Sequence, residues 1–224
     1  LMLNESIVYM ARPLNALLYL ERIDLCDVDW RNPDDRPTIN SDQLRSFFSP
    51  AQLPALNYLA LDYDAINQDG SLYNNLLPQL THLDYYNVTL KSISPQLQLC
   101  TALKSLRIEL DVFCLEDFSL AFIKSFKALN LEEFHCRSSD WIEHDEVWQR
   151  AFPAVQKLVE MLKDVKSLKK LSLSIYHVNK DSKRAEEWIR LKEDVRKVCT
   201  KKKIEVVPFD DRYRTAFHEL AWMD

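Results

Sequence analysis

Glycine is almost missing from this chain: Gly70 is the single one among 224 residues. One glycine cannot build a phosphate-binding loop or a dinucleotide-binding turn, because both need several glycines close together. No stretch of about 18 consecutive apolar residues occurs, so no membrane span and no membrane partner is expected. The five cysteines show no Cys-x-x-Cys spacing, which favours reduced thiols in a cytoplasmic or nuclear protein. The composition therefore predicts no cofactor.

A short apolar motif, Leu-x-x-Leu-x-Leu, recurs along the chain when Ile, Val, Phe, Cys or Tyr is allowed at its apolar positions. A single copy is weak evidence, but copies in one register favour stacked repeats, each too small to bury its own apolar face. Steps of 36, 24, 23, 28, 37 and 33 residues separate the starts of the copies. The copies begin at Leu20, Leu56, Leu80, Leu103, Leu131 and Leu168, and a degenerate one begins at Lys201.

This pattern resembles the leucine-rich repeat family over essentially the whole chain from Leu20 to Val206. It departs from the usual motif because Val28 and Val88 stand where an asparagine is expected, and because the repeat length drifts. Irregular, asparagine-poor repeats of this kind are similar to the arrays of F-box proteins from fungi and other eukaryotes. The resemblance implies a repeat fold with a parallel sheet, and the polar residues of the motif indicate which face of that sheet is open to a partner.

The predicted fold is an α/β leucine-rich-repeat solenoid, with a curved parallel sheet on the concave side and helices and loops on the convex side. About seven irregular repeats are expected over residues 1–207, followed by a capping helix over 208–224 that shields the last repeat from water. Because the chain starts with Leu1 rather than Met, we expect it to be a fragment of a longer protein.

Helix-like return segments should connect the strands. Pro54 and Pro78 occupy corresponding positions before two strands, where a proline ends a helix and keeps the preceding residue extended. Helical spacing of apolar residues predicts return helices over four segments. They are Ser41–Phe48, Leu115–Leu129, Glu146–Asp164 and Asp181–Lys201.

The register also predicts which residues point away from the core, since side chains alternate along a strand. We expect a protein partner to bind these outward residues, and the acidic ones favour a partner with basic or hydrogen-bond-donating groups. Aromatic residues on or beside this face, Trp30 and Trp141 included, could be binding anchors or could be buried under loops. The predicted partner-binding residues are Arg22, Asp24, Tyr58, Asp62, His82, Asp84, Tyr86, Arg107, Glu109, His135 and Arg137.

Catalytic and metal-binding interpretations find little support. Cys136 and His135 are adjacent, so the strand register places them on opposite faces, where their side chains cannot form a nucleophilic pair. The spacing of His135, His144 and Asp145 fits no standard metal-ligand pattern. The sequence therefore predicts no enzyme, no catalytic residue and no metal site.

Nucleic-acid binding is a weaker alternative. Residues 166–203 hold 13 Lys and Arg against 5 Asp and Glu, whereas the whole chain has a net charge of −5. Acidic residues alternate with the basic ones there, which is typical of a solvated helix surface with i,i+4 pairs. This stretch is therefore interpreted as an outer helix.

Two functions remain open. The first is a non-catalytic protein-recognition module that binds a partner on its concave face. The resemblance implies that it could be the substrate-receptor part of an F-box type ubiquitin ligase, with a Skp1-type adaptor bound through a region outside this chain. The second is a structural scaffold subunit of a stable assembly.

Overall fold

The computed structural model describes residues 18–25, 46, 48–62, 70–110, 118–138, 145–174 and 185–207. Within them, seven strands form one sheet in which every neighbouring pair is parallel and the spatial order follows the chain order. The predicted capping helix over 208–224 lies outside the described residues. The strands are β1 (Arg22–Asp24), β2 (Tyr58–Asp62), β3 (His82–Val88), β4 (Ser105–Leu110), β5 (Glu133–Ser138), β6 (Lys170–Ser174) and β7 (Glu205–Val206).

Helices alternate with the later strands. Side-chain caps begin two of them: Thr89 Oγ1 accepts a hydrogen bond from the Ser92 N–H at 3.2 Å, and Ser119 Oγ accepts one from the Phe122 N–H at 3.1 Å. Two 3₁₀ turns, Gly70–Tyr73 and Leu77–Gln79, precede β3. The helices are α1 (Leu90–Leu97), α2 (Leu120–Ala128), α3 (Asp145–Asp164) and α4 (Ala185–Lys202).

The apolar motif forms layers across the sheet, as predicted. Its second apolar residue lies in register on six consecutive strands, and all six of these side chains are buried. Burial of such side chains stabilises the fold by about 1.5–3 kcal/mol each. This layer consists of Ile23, Leu59, Leu83, Leu106, Phe134 and Leu171.

The helices cover this apolar side of the sheet. On α2 and just before it, Phe118, Phe122 and Phe126 are buried on one face, as the helical spacing predicts. Phe126 meets Phe134 of β5 edge to face, with 4.9 Å between ring centroids. The opposite side of the sheet is therefore the one that carries the alternating polar residues, and we call it the polar face.

Each of the strands β2 to β6 begins at a shared backbone acceptor. The carbonyl of Glu21 accepts the N–H groups of Asn57 and Tyr58 at 3.0 and 3.1 Å. The carbonyl oxygens of Asn57, Thr81, Lys104 and Glu132 repeat this arrangement toward the next strand. The same double contact at five junctions fixes where each strand enters the sheet relative to its predecessor.

The seventh copy of the motif was placed two residues too early in the sequence. Leu171 pairs with Val206 rather than with Ile204, and Lys170 pairs with Glu205. The reason is that α4 extends to Lys202, and Lys203 then adopts a left-handed conformation with φ 58°. The strand can begin only after this helix end, but a shift of two residues leaves Ile204 buried on the core side.

The predicted return helices need further corrections. Helix α2 begins at Leu120 rather than at Leu115, since Ser119 is extended and caps it. Helix α3 agrees with the predicted segment within one residue. Helix α1 was not among the predicted segments. Pro95 lies inside it, although proline usually interrupts helices. Most of the predicted segment Ser41–Phe48 lies outside the described residues.

No helix among the described residues is long and apolar enough to span a membrane.

Candidate functional site

The polar face brings together the residues that the sequence predicted to point away from the core. All eleven of them lie on β1 to β5, and the register places them side by side on neighbouring strands. They differ in exposure, since His82 is exposed whereas Asp84 and Glu109 are buried. The eleven residues are Arg22, Asp24, Tyr58, Asp62, His82, Asp84, Tyr86, Arg107, Glu109, His135 and Arg137.

A carboxylate and two tyrosines form the centre of the N-terminal part of this face. Asp84 is only 7% exposed. Its Oδ2 accepts a hydrogen bond from the Tyr58 hydroxyl at 2.6 Å and a longer one from the Tyr86 hydroxyl at 3.4 Å. The two rings are partly exposed. A buried acceptor thus holds two aromatic side chains at the surface.

Arg22 completes this cluster from the neighbouring strand. Its guanidinium carbon lies 3.8 Å from the centroid of the Tyr58 ring, which is cation–π geometry. Its Nη2 also donates a hydrogen bond to the Tyr58 hydroxyl at 3.0 Å and lies 4.0 Å from Asp24 Oδ2. Tyr58 is therefore fixed from both sides. We call Arg22, Tyr58, Asp84 and Tyr86 the tyrosine cluster.

Burial and charge act in opposite directions on Asp84. Burial raises the pKa of its carboxyl group, while the hydrogen bond from Tyr58 and the positive charges of Arg107 and Arg22 lower it. Burial also raises the pKa of Tyr58, and the nearby Asp84 charge raises it further. Tyr58 therefore stays protonated and remains a hydrogen-bond donor to Asp84.

A buried ion pair links β4 and β5. Glu109 has a side chain that is 1% exposed, and Oε2 accepts hydrogen bonds from Arg137 Nε at 2.8 Å and Arg137 Nη2 at 2.6 Å. Two charge-assisted bonds on one oxygen fix the guanidinium against the sheet. Although Glu109 was predicted to contact a partner, its burial gives it the role of holding Arg137.

More exposed ion pairs continue across β5 and β6. Lys170 Nζ donates to Glu133 Oε1 at 2.7 Å, and this bond is the main reason that the pKa of Glu133 is lowered. His135 Nε2 lies 3.9 Å from Glu133 Oε2. One residue earlier, Glu132 lies between Lys104, at 3.3 Å, and Lys169. We call the Glu109–Arg137 pair and these exposed pairs the charge ladder.

The sequence analysis did not predict the ion pairs of the charge ladder. The sheet register places Glu133 beside Lys170, but their ion pair was not predicted. A signal was present, because Lys104, Glu132 and Lys169 occupy the same motif position in three successive copies and alternate in sign. Opposite charges at equivalent positions of paired strands lie within reach of one another.

Cys136 and His135, two residues considered for chemistry, lie on opposite faces of β5. Cys136 is buried in the core, and burial raises the pKa of its thiol. His135 lies on the polar face, so the prediction that the two side chains point apart is confirmed. Across the described part of the chain, no group of His, Cys, Asp and Glu residues is arranged to hold a metal ion. His144 and the tryptophans Trp30 and Trp141 lie outside it.

The sequence matches no protein-family model, and no characterised protein is similar to it at a significant level. Any functional conclusion must therefore come from the geometry of this face.

Proposed function

We propose that the chain is a leucine-rich-repeat solenoid that binds a protein partner on the polar face of its sheet. The repeat interpretation is supported by six motif copies in one register, by the sequential order of parallel strands, and by helices on the opposite face. The described helices lie on the apolar side of the sheet, and a broad sheet face opposite the helices is the surface that such folds use for recognition.

The tyrosine cluster is the observation that carries the binding proposal. Protein interfaces are dominated by a few aromatic and arginine side chains, and Tyr58, Tyr86 and Arg22 are of this kind. The buried Asp84 carboxylate holds the first two before any partner arrives. Side chains that are already ordered lose little conformational entropy on binding, so such anchors contribute more of their contact energy.

The charge ladder is less suited to binding a partner than the tyrosine cluster. Its acidic and basic groups are paired with one another within the chain, so a partner would have to break those pairs to use them. We therefore infer that the partner contacts centre on β2 and β3, where the tyrosines lie, rather than on β5 and β6.

Selection from a displayed library of random peptides, followed by affinity measurements on the selected binders, tests this function. We expect Tyr86→Ala to weaken binding by about 2 kcal/mol, as the loss of an aromatic anchor does. Asp62→Lys should slow association most strongly at low salt, because screening shortens the range of its charge at high salt. Lys192→Glu on α4 is the matched control and should leave affinity unchanged.

The opposite result would identify another working surface. If Lys192→Glu abolished binding while the Tyr86 and Asp62 variants bound normally, the helix side would be the recognition surface. The narrower proposal, a substrate receptor of an F-box type ubiquitin ligase, rests on the family resemblance. Its test is whether the full-length protein forms a stable complex with the purified ligase adaptor.

A further inference from the structure

The C-terminal end of α3 is capped by a lysine from another helix. Helix α3 ends at Asp164, and the last carbonyl groups of a helix have no partner within it. Lys202, the last residue of α4, donates hydrogen bonds from Nζ to the carbonyl oxygens of Leu162 and Val165, both at 2.9 Å. A positive charge at this position also interacts favourably with the helix dipole. Lys202 therefore joins the end of α4 to the end of α3.

The surroundings of the Lys202 amine favour its neutral form more than those of Lys170. At Lys170, the hydrogen bond to Glu133 raises the pKa of the ammonium group. At Lys202, burial lowers the pKa of the ammonium group, although the charge of Asp164 raises it. A neutral amine still has two hydrogens, so it can keep both carbonyl contacts and present its lone pair as a nucleophile. The side chain is only partly buried, so a small reagent can reach this amine.

We propose that Lys202 is an acylation site, modified by an activated acyl donor such as an acyl thioester, and that the modification releases the end of α4 and β7 from α3. The amine nitrogen attacks the carbonyl carbon of the thioester, and a new N–C bond replaces the C–S bond. The proton lost by the nitrogen goes to the departing thiolate. The product is a neutral amide with one N–H, so it can serve only one of the two carbonyl groups.

The loss of this cap should reach the last strand of the sheet. Strand β7 begins shortly after Lys202 and pairs with β6 over two residues. The N–H groups of Glu205 and Val207 bind the carbonyl oxygens of Lys169 and Leu171 at 2.7 and 2.9 Å. A strand this short depends on the helix before it for its position, so loosening the end of α4 should expose these backbone bonds to solvent.

Reaction of the purified chain with a small acyl donor, the acetyl thioester of N-acetylcysteamine, tests the site. Peptide mapping by mass spectrometry gives the rate of acetylation at each lysine. Lys202 should react at least about threefold faster than Lys201, its exposed neighbour on the same helix, because the neutral amine is the nucleophile. In guanidinium chloride the contacts with α3 are lost, so the two rates should become equal. A rate at Lys202 no higher than at Lys201 in the folded chain would overturn the proposal.

Hydrogen exchange of the backbone amides tests the release. Lys202→Met keeps the aliphatic part of the side chain and removes its donors, so the amides of Glu205 and Val207 should exchange at least about tenfold faster than in the wild type. Lys202→Arg keeps a charged donor and should exchange like the wild type. Lys201→Met, one residue earlier, is the matched control and should also leave exchange unchanged.

The acetylated wild-type chain gives the same readout without a substitution, in case Lys202→Met folds poorly. After acetylation of Lys202, exchange should rise in β7 and stay unchanged in β3. Unchanged exchange in β7 would overturn the release, and faster exchange in every strand would show general unfolding and overturn it as well. None of these measurements involves a partner on the polar face, so their outcome is independent of the proposed function.

Discussion

On the polar face, the two halves of the sheet pair their polar side chains in different ways. Around β2 and β3 a buried carboxylate accepts hydrogen bonds from two tyrosines, whereas β4 to β6 carry a ladder of opposite charges. The return segments vary within both halves: β2 follows β1 after 36 residues, β3 follows β2 after 24, and β6 follows β5 after 37. The apolar motif positions pair in register from β1 to β6, and the register shifts only after them, between Tyr85 and Val88 of β3. The core motif therefore fixes the sheet, while the polar positions can differ between the halves.

The tyrosine cluster and the charge ladder also differ in the contacts that they can make with a partner. A charge that is already paired gains little from a new contact, because its pair must first be broken and rehydrated. An aromatic ring that is already fixed in place breaks no ion pair when a partner packs against it. We therefore expect the tyrosine cluster to offer a partner better anchors than the charge ladder does.

The largest expected effect concerns the buried pair of the charge ladder. Arg137→Met leaves Glu109 buried without its guanidinium and should lower the free energy of unfolding by about 3–5 kcal/mol. Lys170→Met removes the ion-pair partner of Glu133, which is more exposed, and should cost much less than Arg137→Met. Urea denaturation of both variants checks this difference. Similar losses of stability in the two variants would mean that the two ion pairs are equally buried, which would contradict the structure.

The buried layer of motif residues should stabilise both halves of the sheet equally. Leu83→Ala in β3 and Leu106→Ala in β4 should each lower the free energy of unfolding by about 2–5 kcal/mol, as truncations of buried leucines do. Asp62→Ala lies on the polar face and should change stability by no more than roughly 0.5 kcal/mol. Denaturation midpoints measured together test the register, and a loss for Asp62→Ala as large as for the leucines would contradict it.

Helix α4 ends without the glycine that such ends usually contain. Lys203 has φ 58°, and the N–H groups of Lys203 and Ile204 bond to the carbonyl groups of Thr200 and Cys199. Lys203→Gly should stabilise the protein by about 1 kcal/mol, since glycine adopts this conformation without steric cost. Lys201→Gly, inside the same helix, is the matched control and should destabilise it. Thermal unfolding of the two variants gives the sign of each effect.

The two halves should also respond in opposite directions to acid. The raised pKa of Asp84 gives a contribution to stability that is present below the ordinary carboxyl pKa and is lost as pH rises through the folded value. The lowered pKa of Glu133 gives one that is present above the ordinary value and is lost as pH falls through the folded value.

Denaturation over the acidic range, on wild type, Asp84→Asn and Glu133→Gln, separates the two contributions. Relative to wild type, the Asp84 variant should gain stability as pH rises, and the Glu133 variant should gain it as pH falls. Slopes of the same sign for the two variants would refute the assignment of opposite environments.

Much of the sheet could be predicted from the sequence, because the apolar motif is dictated by the core. The register held through Leu171, where each motif position meets its equivalent on the next strand. It failed at Ile204, since the end of α4 is set by helix-capping contacts rather than by the motif. The helix containing Pro95 was missed because tertiary packing outweighed its local preference.

The polar face was predicted less completely. Alternation was enough to place Tyr58, Asp84 and Tyr86 on one side of the sheet. It could not show that Asp84 is buried or that both hydroxyl groups converge on it, because these features depend on side-chain conformation. The sharing of Glu132 between two lysines likewise depends on how neighbouring strands are aligned in space.

The shared carbonyl at each strand entrance has a consequence for how such a chain can change in length. Because two N–H groups at the start of the incoming strand bind one carbonyl oxygen at the start of the previous strand, alignment is reset at the five junctions from β1–β2 to β5–β6, whatever the route between them. Separations of 23 residues between β3 and β4 and of 37 between β5 and β6 end in the same contact. We therefore expect insertions or deletions within these connecting segments to leave the surface that the strands display in place.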